Sequence, residues 1–146
     1  VIAGHSMGGW ITALTAAEDP ALHGAILISA GDMGRLGGMP LDQRVAMAAG
    51  NAEALAGVTP QSMAEQLAGR ASGMTLIKAA PGLARLPLLV ISSDDGLAPG
   101  TDALVAQVRA EGGTKVSAVH VATDHSYSDK RIRLESEVIT WLQALP

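Results

Sequence analysis

Four short runs of β-branched and other apolar residues recur along the chain, and they predict the strands of one sheet. The first three runs are almost continuously apolar, which is typical of strands that are buried on both faces. In the last run Ser117 and His120 interrupt the apolar residues, which predicts a strand at the edge of the sheet. The predicted strands are Val1 to Ala3, Ala25 to Ser29, Leu88 to Ser92 and Val116 to Ala122.

Helical patterns lie between and after these runs. The first spans Gly8 to Glu18, and Thr101 is placed to cap a second that runs to Glu111. A third spans Ser128 to Leu145, and its apolar positions recur every three or four residues, a face that should pack on the sheet. These positions are Leu134, Val138, Trp141 and Leu145. The alternation of strand and helix predicts an α/β fold with a parallel sheet and right-handed crossovers.

One long segment, 33–85, breaks this alternation because it has no convincing strand. Two stretches within it, Leu41 to Leu55 and Pro60 to Ala71, are rich in Ala, Met and Gln and predict helices. The preceding stretch "GDMGRLGGMP" is rich in glycine, which indicates a hinge. We therefore expect a single domain over 1–146 in which 33–85 is a helical insertion between the second and third strands.

Composition and charge exclude several classes of function. The net charge of −4 and the scattered Lys and Arg residues give no basic surface for phosphates, so we expect no nucleic-acid partner. The absence of Cys excludes disulfides, thiolate metal sites and cysteine nucleophiles. No apolar run approaches the roughly 18 residues that span a bilayer. We expect a cytoplasmic protein without a membrane span, a metal or a cofactor, while its oligomeric state cannot be read from the sequence.

The stretch "GHSMGG" matches the Gly-x-Ser-x-Gly pattern of a nucleophile elbow. In that turn a serine stands at the tip between a strand and a helix, and Gly4 and Gly8 are expected to be small because larger side chains would collide with the crossing backbone. Ser6 would be the nucleophile, and the N–H of Met7 at the helix N-terminus would face a developing oxyanion. The alternative is an ordinary glycine-rich turn whose serine faces solvent.

A serine nucleophile needs a base, and the base needs an acid that orients it. Of the histidines, His125 occupies a loop directly after a strand end, on the edge of the sheet where Ser6 is also expected. Asp94 and Asp95 follow the third strand on the same edge, and Asp32 follows the second. Each of these residues by itself is more often a solvated loop side chain, but their order along the chain and their shared edge favour a catalytic group.

These three motifs together resemble the C-terminal portion of an α/β-hydrolase. The elbow is "VIAGHSMGG", "PLLVISSDDGLAP" resembles the acid loop, and "VATDHSYSDKR" resembles the histidine loop. The resemblance implies Ser6 as nucleophile, His125 as general base and Asp95 as the acid. Asp94 and Asp32 are the alternative acids, and Asp32 is one because some members of the family hold the acid after the second of these strands. It also makes 33–85 the helical cap that shapes the substrate pocket.

The resemblance also implies that the strands preceding the elbow in this family are absent from the chain. We therefore expect a sequence that begins inside a larger domain, with the elbow strand as a bare edge that favours aggregation. The predicted function is a serine hydrolase that cleaves an ester or related small acyl substrate through an acyl-enzyme. The alternatives are a non-catalytic module of the same fold that binds a ligand or partner, or peptidase, lyase or perhydrolase chemistry with the same three residues.

Overall fold

The computed structural model describes residues 1–52, 55–70 and 73–145, and it contains the predicted parallel sheet. The four strands lie in the order β1-β2-β3-β4, and every neighbouring pair is parallel. All residues of β3 are buried, whereas β4 is largely exposed and forms an edge, as predicted. The strands are β1 Ile2–His5, β2 Ala25–Ile28, β3 Leu88–Ser93 and β4 Val116–Val121.

The strand register brings the carboxyl ends of the strands to one edge. His5 pairs with Ile28, Ile28 pairs with Ile91, and Ile91 pairs with Val119. Residues that directly follow these positions therefore share one level at the edge of the sheet, where sites form in α/β folds. The first compact unit, 1–31 and 76–146, contains this sheet and its helices.

The helices of this unit pack closely against the sheet and against each other. A Cβ at Gly82 would lie 2.3 Å from the carbonyl oxygen of Ala17, so glycine is needed where α1 and α4 meet. On the predicted apolar face of α6, Leu134, Val138 and Trp141 pack on the apolar cluster of the sheet. The fourth predicted residue, Leu145, lies beyond the end of the helix. The helices are α1 Met7–Glu18, α4 Leu76–Leu83, α5 Ala98–Ala110 and α6 Arg131–Gln143.

Two predicted helix starts are wrong. The helix α5 begins at Ala98, and Thr101 lies inside it, buried, with its hydroxyl donating to the Ala98 carbonyl. Pro99 in the first turn explains the earlier start, because proline has no N–H to lose there and its φ is already helical. The last helix begins at Arg131 instead of Ser128, since the Asp124 carboxylate accepts the N–H groups of Ser126 and Ser128 and holds a turn there.

The second compact unit is Asp32–Thr75, which is shorter than the predicted insertion 33–85 at its C-terminal end. It contains the predicted helices as α2 Leu41–Ala52 and α3 Pro60–Arg70, while residues 53, 54 and 71 of the predicted ranges lie outside the described residues. The expected hinge is a 3₁₀ helix, Met33–Gly38. Glycine is needed at position 34 of this helix because a Cβ there would lie 2.5 Å from the backbone of Thr75. The role of this unit as a cap stays a prediction.

The helix α4 was not predicted, because Pro81 and Gly82 are residues that usually interrupt helices. Its buried face, which includes Leu76, Ala80 and Leu83, packs within the first unit and stabilises the helix in spite of them. No helix among the described residues is long and apolar enough to cross a membrane.

Candidate active site

Ser6 stands alone between β1 and α1 in a backbone conformation that only a tight turn imposes. Its φ is 58° and its ψ is −122°, while His5 ends the strand and Met7 begins the helix. Such angles are strained for a residue other than glycine and are found where the surrounding structure enforces them. The N–H of Ser6 donates to the Ile28 carbonyl at 2.9 Å, and its own carbonyl accepts the N–H of Gly31 at 3.1 Å, so β2 and the residues after it hold the turn in place.

Of the two elbow glycines predicted to be small for steric reasons, only Gly4 has that role. A Cβ at Gly4 would lie 2.1 Å from the carbonyl oxygen of Gly8, so the expected collision exists at Gly4. At Gly8 a Cβ would meet nothing within 4 Å, and the steric reason predicted for this residue is therefore wrong: its backbone, and not its missing side chain, makes the close approach. The third glycine, Gly9, is the second one that the packing requires, because a Cβ there would lie 2.7 Å from the Cβ of Ala30.

Met7 is the first residue of α1, so its N–H belongs to the helix turn whose amides have no partner within the helix. The amides of this turn carry the positive end of the helix dipole, which favours a negative charge beside them. The position suits the donor predicted for an oxyanion, and that role stays a prediction.

His125 and Asp95 form a short and partly buried hydrogen bond. The Nδ1 atom of His125 lies 2.7 Å from Oδ2 of Asp95, and the other carboxylate oxygen, Oδ1, accepts the N–H of Leu97 at 2.9 Å. The Asp95 side chain is only 5% exposed, whereas the His125 side chain is 38% exposed. With Nδ1 donating to the carboxylate, Nε2 is the nitrogen left with a lone pair for a proton.

Asp95 stays ionised although it is buried. Burial acts to raise the pKa of this carboxyl, but hydrogen bonds from His125, from the Leu97 N–H and from the hydroxyls of Ser29 and Ser93 outweigh it and lower the pKa to about 2. Asp95 therefore carries a fixed negative charge beside the imidazole of His125 throughout the neutral range.

The two alternative acids have other partners. Asp94 accepts a hydrogen bond at 3.0 Å from Nε2 of His120, whose Nδ1 lies 3.0 Å from the hydroxyl of Ser92. Asp32 lies in the second unit, where its carboxylate accepts the N–H of Gly34 and caps the 3₁₀ helix.

His5 contacts the histidine loop directly, a contact that was not predicted from the sequence. Its Nε2 lies 2.8 Å from the carbonyl oxygen of His125, and the two imidazole rings have their centroids 4.6 Å apart. Because His5 is the residue before Ser6, this contact joins the elbow to the loop that carries His125.

A cluster of three buried hydroxyls beside Asp95 was missed by sequence reasoning. The Ser29 hydroxyl lies 2.8 Å from that of Ser93 and 3.0 Å from that of Tyr127, and all three residues are about 1% exposed. The signal in the sequence was weak: two serines directly after or at the end of apolar runs, and the single tyrosine of the chain two residues after His125.

Within the described part of the chain, no group of three or more His, Cys, Asp or Glu residues is placed to hold a metal ion.

Comparison of the sequence with protein-family models and with curated proteins gives no match. Comparison of the structure with solved structures gives many matches, and those described here have low sequence identity. An esterase from Pyrococcus furiosus superposes on 98% of this chain with a TM-score of 0.64 and 15% identity. The Pyrococcus horikoshii acylaminoacyl peptidase matches 99% with a TM-score of 0.71 and 12% identity, and an E-2-(acetamidomethylene)succinate hydrolase matches 98% with a TM-score of 0.54 and 19% identity.

The chain corresponds to only part of each of these proteins, namely 52% of the esterase, 23% of the peptidase and 66% of the succinate hydrolase. At these identities the likeness establishes the fold, and it confirms the fold that the three sequence motifs predicted. From the elbow strand to the last helix, the chain has the α/β-hydrolase fold.

Proposed function

We propose that this chain carries the catalytic residues of a serine hydrolase that cleaves an ester or a related small acyl substrate. The observation that carries the proposal is the partly buried hydrogen bond of 2.7 Å between Asp95 and His125. The loop that carries His125 is joined to the serine elbow by His5. A buried, ionised carboxylate that orients an imidazole, on a loop joined to the turn of a strained serine, fits the arrangement that serine hydrolases of several folds use. The structural neighbours include an esterase, an acylaminoacyl peptidase and a succinate hydrolase, which agrees with this proposal.

The proposed reaction has two steps. In the first, the Ser6 hydroxyl oxygen attacks the acyl carbon while its proton passes to Nε2 of His125, and the negative charge that develops on the carbonyl oxygen faces the N–H of Met7. The intermediate collapses to an acyl-enzyme as the leaving alcohol takes the proton from His125. In the second step His125 removes a proton from water, which attacks the acyl group. The acid is released as His125 returns the proton to the Ser6 oxygen.

The ionised Asp95 has a defined task in this mechanism. It accepts the Nδ1–H of His125 and so keeps Nε2 free to take the proton, and it stabilises the imidazolium that forms in each step. The low pKa of Asp95 means that the carboxylate stays charged and the proton remains on the histidine.

Reaction with a fluorophosphonate tests the proposal on the full gene product. We expect one adduct, located at Ser6 by mass spectrometry, and its loss in Ser6→Ala. The matched control is Ser126→Ala, because Ser126 is an exposed serine in the histidine loop and its removal should leave labelling unchanged. Labelling that persists in Ser6→Ala would contradict the proposal.

A substrate panel then separates the kinds of chemistry. Short- and long-chain p-nitrophenyl esters compared with aminoacyl amides distinguish an esterase from a peptidase, and Ser6→Ala should lower the rate by several decades on whichever class is cleaved. Turnover that is unchanged in Ser6→Ala, or ligand-dependent thermal stabilisation without any turnover, would favour the non-catalytic alternative.

A further inference from the structure

The three buried hydroxyls next to Asp95 connect every element of the candidate site except the elbow itself. Ser29 follows β2, Ser93 ends β3 and Tyr127 lies in the histidine loop, so the cluster joins two strand ends to the loop that carries His125. Ser93 lies two residues before Asp95, and Tyr127 lies two residues after His125. The cluster therefore ties the strand end that leads to Asp95 to the loop that carries His125.

The hydroxyls of the cluster satisfy one another inside the fold. Each hydroxyl donates one proton and accepts with its lone pairs, so the Ser29 oxygen can bond Ser93 and Tyr127 at the same time. Burial raises the pKa of Tyr127, which keeps the phenol protonated and able to donate to Ser29 or to the Ile91 carbonyl at 3.4 Å. Hydrogen-bonded hydroxyls of this kind polarise one another and fix the positions of the residues that carry them.

The backbone conformation of two cluster residues indicates that the fold holds these hydroxyls in fixed positions. Ser29 has a φ of 41° and Tyr127 a φ of 55°, in the left-handed region that favours glycine. Both residues direct their hydroxyls into the same buried cluster. The N–H of Ser29 donates to the Ile91 carbonyl at 2.7 Å, which fixes the position of Ser29 on β3.

We propose that Ser29, Ser93 and Tyr127 are positioning residues that hold the end of β3 and the histidine loop together, so that Asp95 meets Nδ1 of His125. This inference rests on the proposed function, because the Asp95–His125 pair matters to turnover only if His125 is the base. The three residues act through that pair.

Three variants, each made in the full gene product, remove one hydroxyl with little other change: Ser29→Gly, Ser93→Ala and Tyr127→Phe. Glycine is chosen at Ser29 because it accepts the positive φ, so a loss of activity there comes from the hydroxyl and not from the backbone. The matched control is Ser92→Ala, which removes the neighbouring hydroxyl of the same strand, one that contacts His120 instead of Asp95.

We expect each of the three variants to lower kcat about 10- to 100-fold, since small displacements of a catalytic group have costs of this size. KM should stay within about threefold, because the lost interaction acts on the reacting groups and not on substrate binding. Ser92→Ala should change kcat by less than about twofold. Ser93→Thr, which keeps a hydroxyl, should restore most of the activity that Ser93→Ala loses.

A spectroscopic measurement separates positioning from a merely structural role. The downfield proton resonance of the His125 Nδ1–H reports its hydrogen bond to Asp95, and we expect it to move in the three variants and not in Ser92→Ala. Titration of reactive Ser6 with fluorophosphonate counts the folded sites, so kcat is expressed per reactive serine even where a variant is less stable.

Unchanged kcat and an unchanged resonance in Ser29→Gly and Tyr127→Phe, with Ser6 still reactive, would overturn the positioning role and leave the proposed function intact. Failure of the unaltered protein to react at Ser6 would instead remove the proposed function, and the positioning role with it. The two failures are therefore distinguishable in one set of samples.

Discussion

Two aspartate–histidine pairs lie side by side beyond the end of β3, and they differ in what surrounds them. Asp94 and His120 are 3.0 Å apart with side chains that are 62% and 49% exposed. Asp95 and His125 are 2.7 Å apart, and the Asp95 side chain is only 5% exposed. Exposed pairs exchange freely with water and contribute little, whereas a buried carboxylate must be satisfied by fixed donors. Burial and donors, more than residue type, distinguish the candidate catalytic pair from its neighbour.

The largest expected difference between the pairs is in turnover after loss of the histidine. Under the proposed mechanism, His125→Ala removes the general base and should lower kcat about 10⁴-fold or more, because the catalytic residues act as a unit. His120→Ala should change kcat by less than about threefold, since the imidazole ring of His120 hydrogen-bonds Asp94 and Ser92. Steady-state kinetics on the best p-nitrophenyl ester compares them. Equal losses would mean that the two pairs are not functionally distinct.

Loss of the carboxylate charge should give the next largest difference. Asp95→Asn places an amide beside Nδ1 of His125, which favours the wrong tautomer, and should lower kcat about 10³- to 10⁴-fold. Asp94→Asn keeps a hydrogen-bonding group in an exposed position and should be nearly neutral. The same kinetic assay checks both. A severe loss in Asp94→Asn would identify Asp94 as the acid in place of Asp95.

A smaller difference is expected in stability against acid. Because the folded-state pKa of Asp95 is about 2, below its ordinary value of 3.8, its ionisation stabilises the fold above pH 3.8, and this contribution is lost as the pH falls towards 2. The shift corresponds to about 2 kcal/mol at neutral pH. Urea unfolding should therefore show that Asp95→Asn lowers the free energy of unfolding at pH 7 and that the gap to the unaltered protein narrows between pH 4 and 2. A gap that is constant with pH would contradict this linkage, and Asp94→Asn serves as the control.

The smallest effect is expected from salt on the exposed pair. Asp94→Ala should change the free energy of unfolding by less than about 1 kcal/mol, and added salt should remove most of that change, because exposed charges are screened. Thermal unfolding at low and high salt measures it. A larger loss that salt does not reduce would show that the pair Asp94–His120 is more than a surface contact.

The strands of the sheet could be predicted from the sequence because their apolar runs are a local pattern. Buried parallel strands are continuous apolar runs, and the four predicted strands lie within two residues of the observed ones at each end. The start of α5 at Ala98 and the helix α4 were not predicted. Their stability depends on a proline in the first turn and on burial of one face, which the spacing of apolar residues does not reveal.

For the candidate site, the sequence indicated residues that follow strand ends but not the contacts among them. His125 and Asp95 were selected by position, and the structure adds their hydrogen bond. Ser29, Ser93 and Tyr127 could not be selected, because residues 29 and 127 come together only through folding and a buried serine resembles any other serine in the sequence. Likewise, the need for glycine at position 9 depends on Ala30, which lies in the loop after β2.

The position of the single tyrosine gives the molecule an intrinsic reporter. Tyr127 is the only residue of its type in the chain, and its phenol lies in the hydroxyl cluster beside Asp95. Replacement of tyrosine by a fluorinated analogue would place one ¹⁹F nucleus at that point, with no competing signal from elsewhere in the sequence. Acylation of the serine elbow could then be followed in real time from a reporter that never touches the substrate.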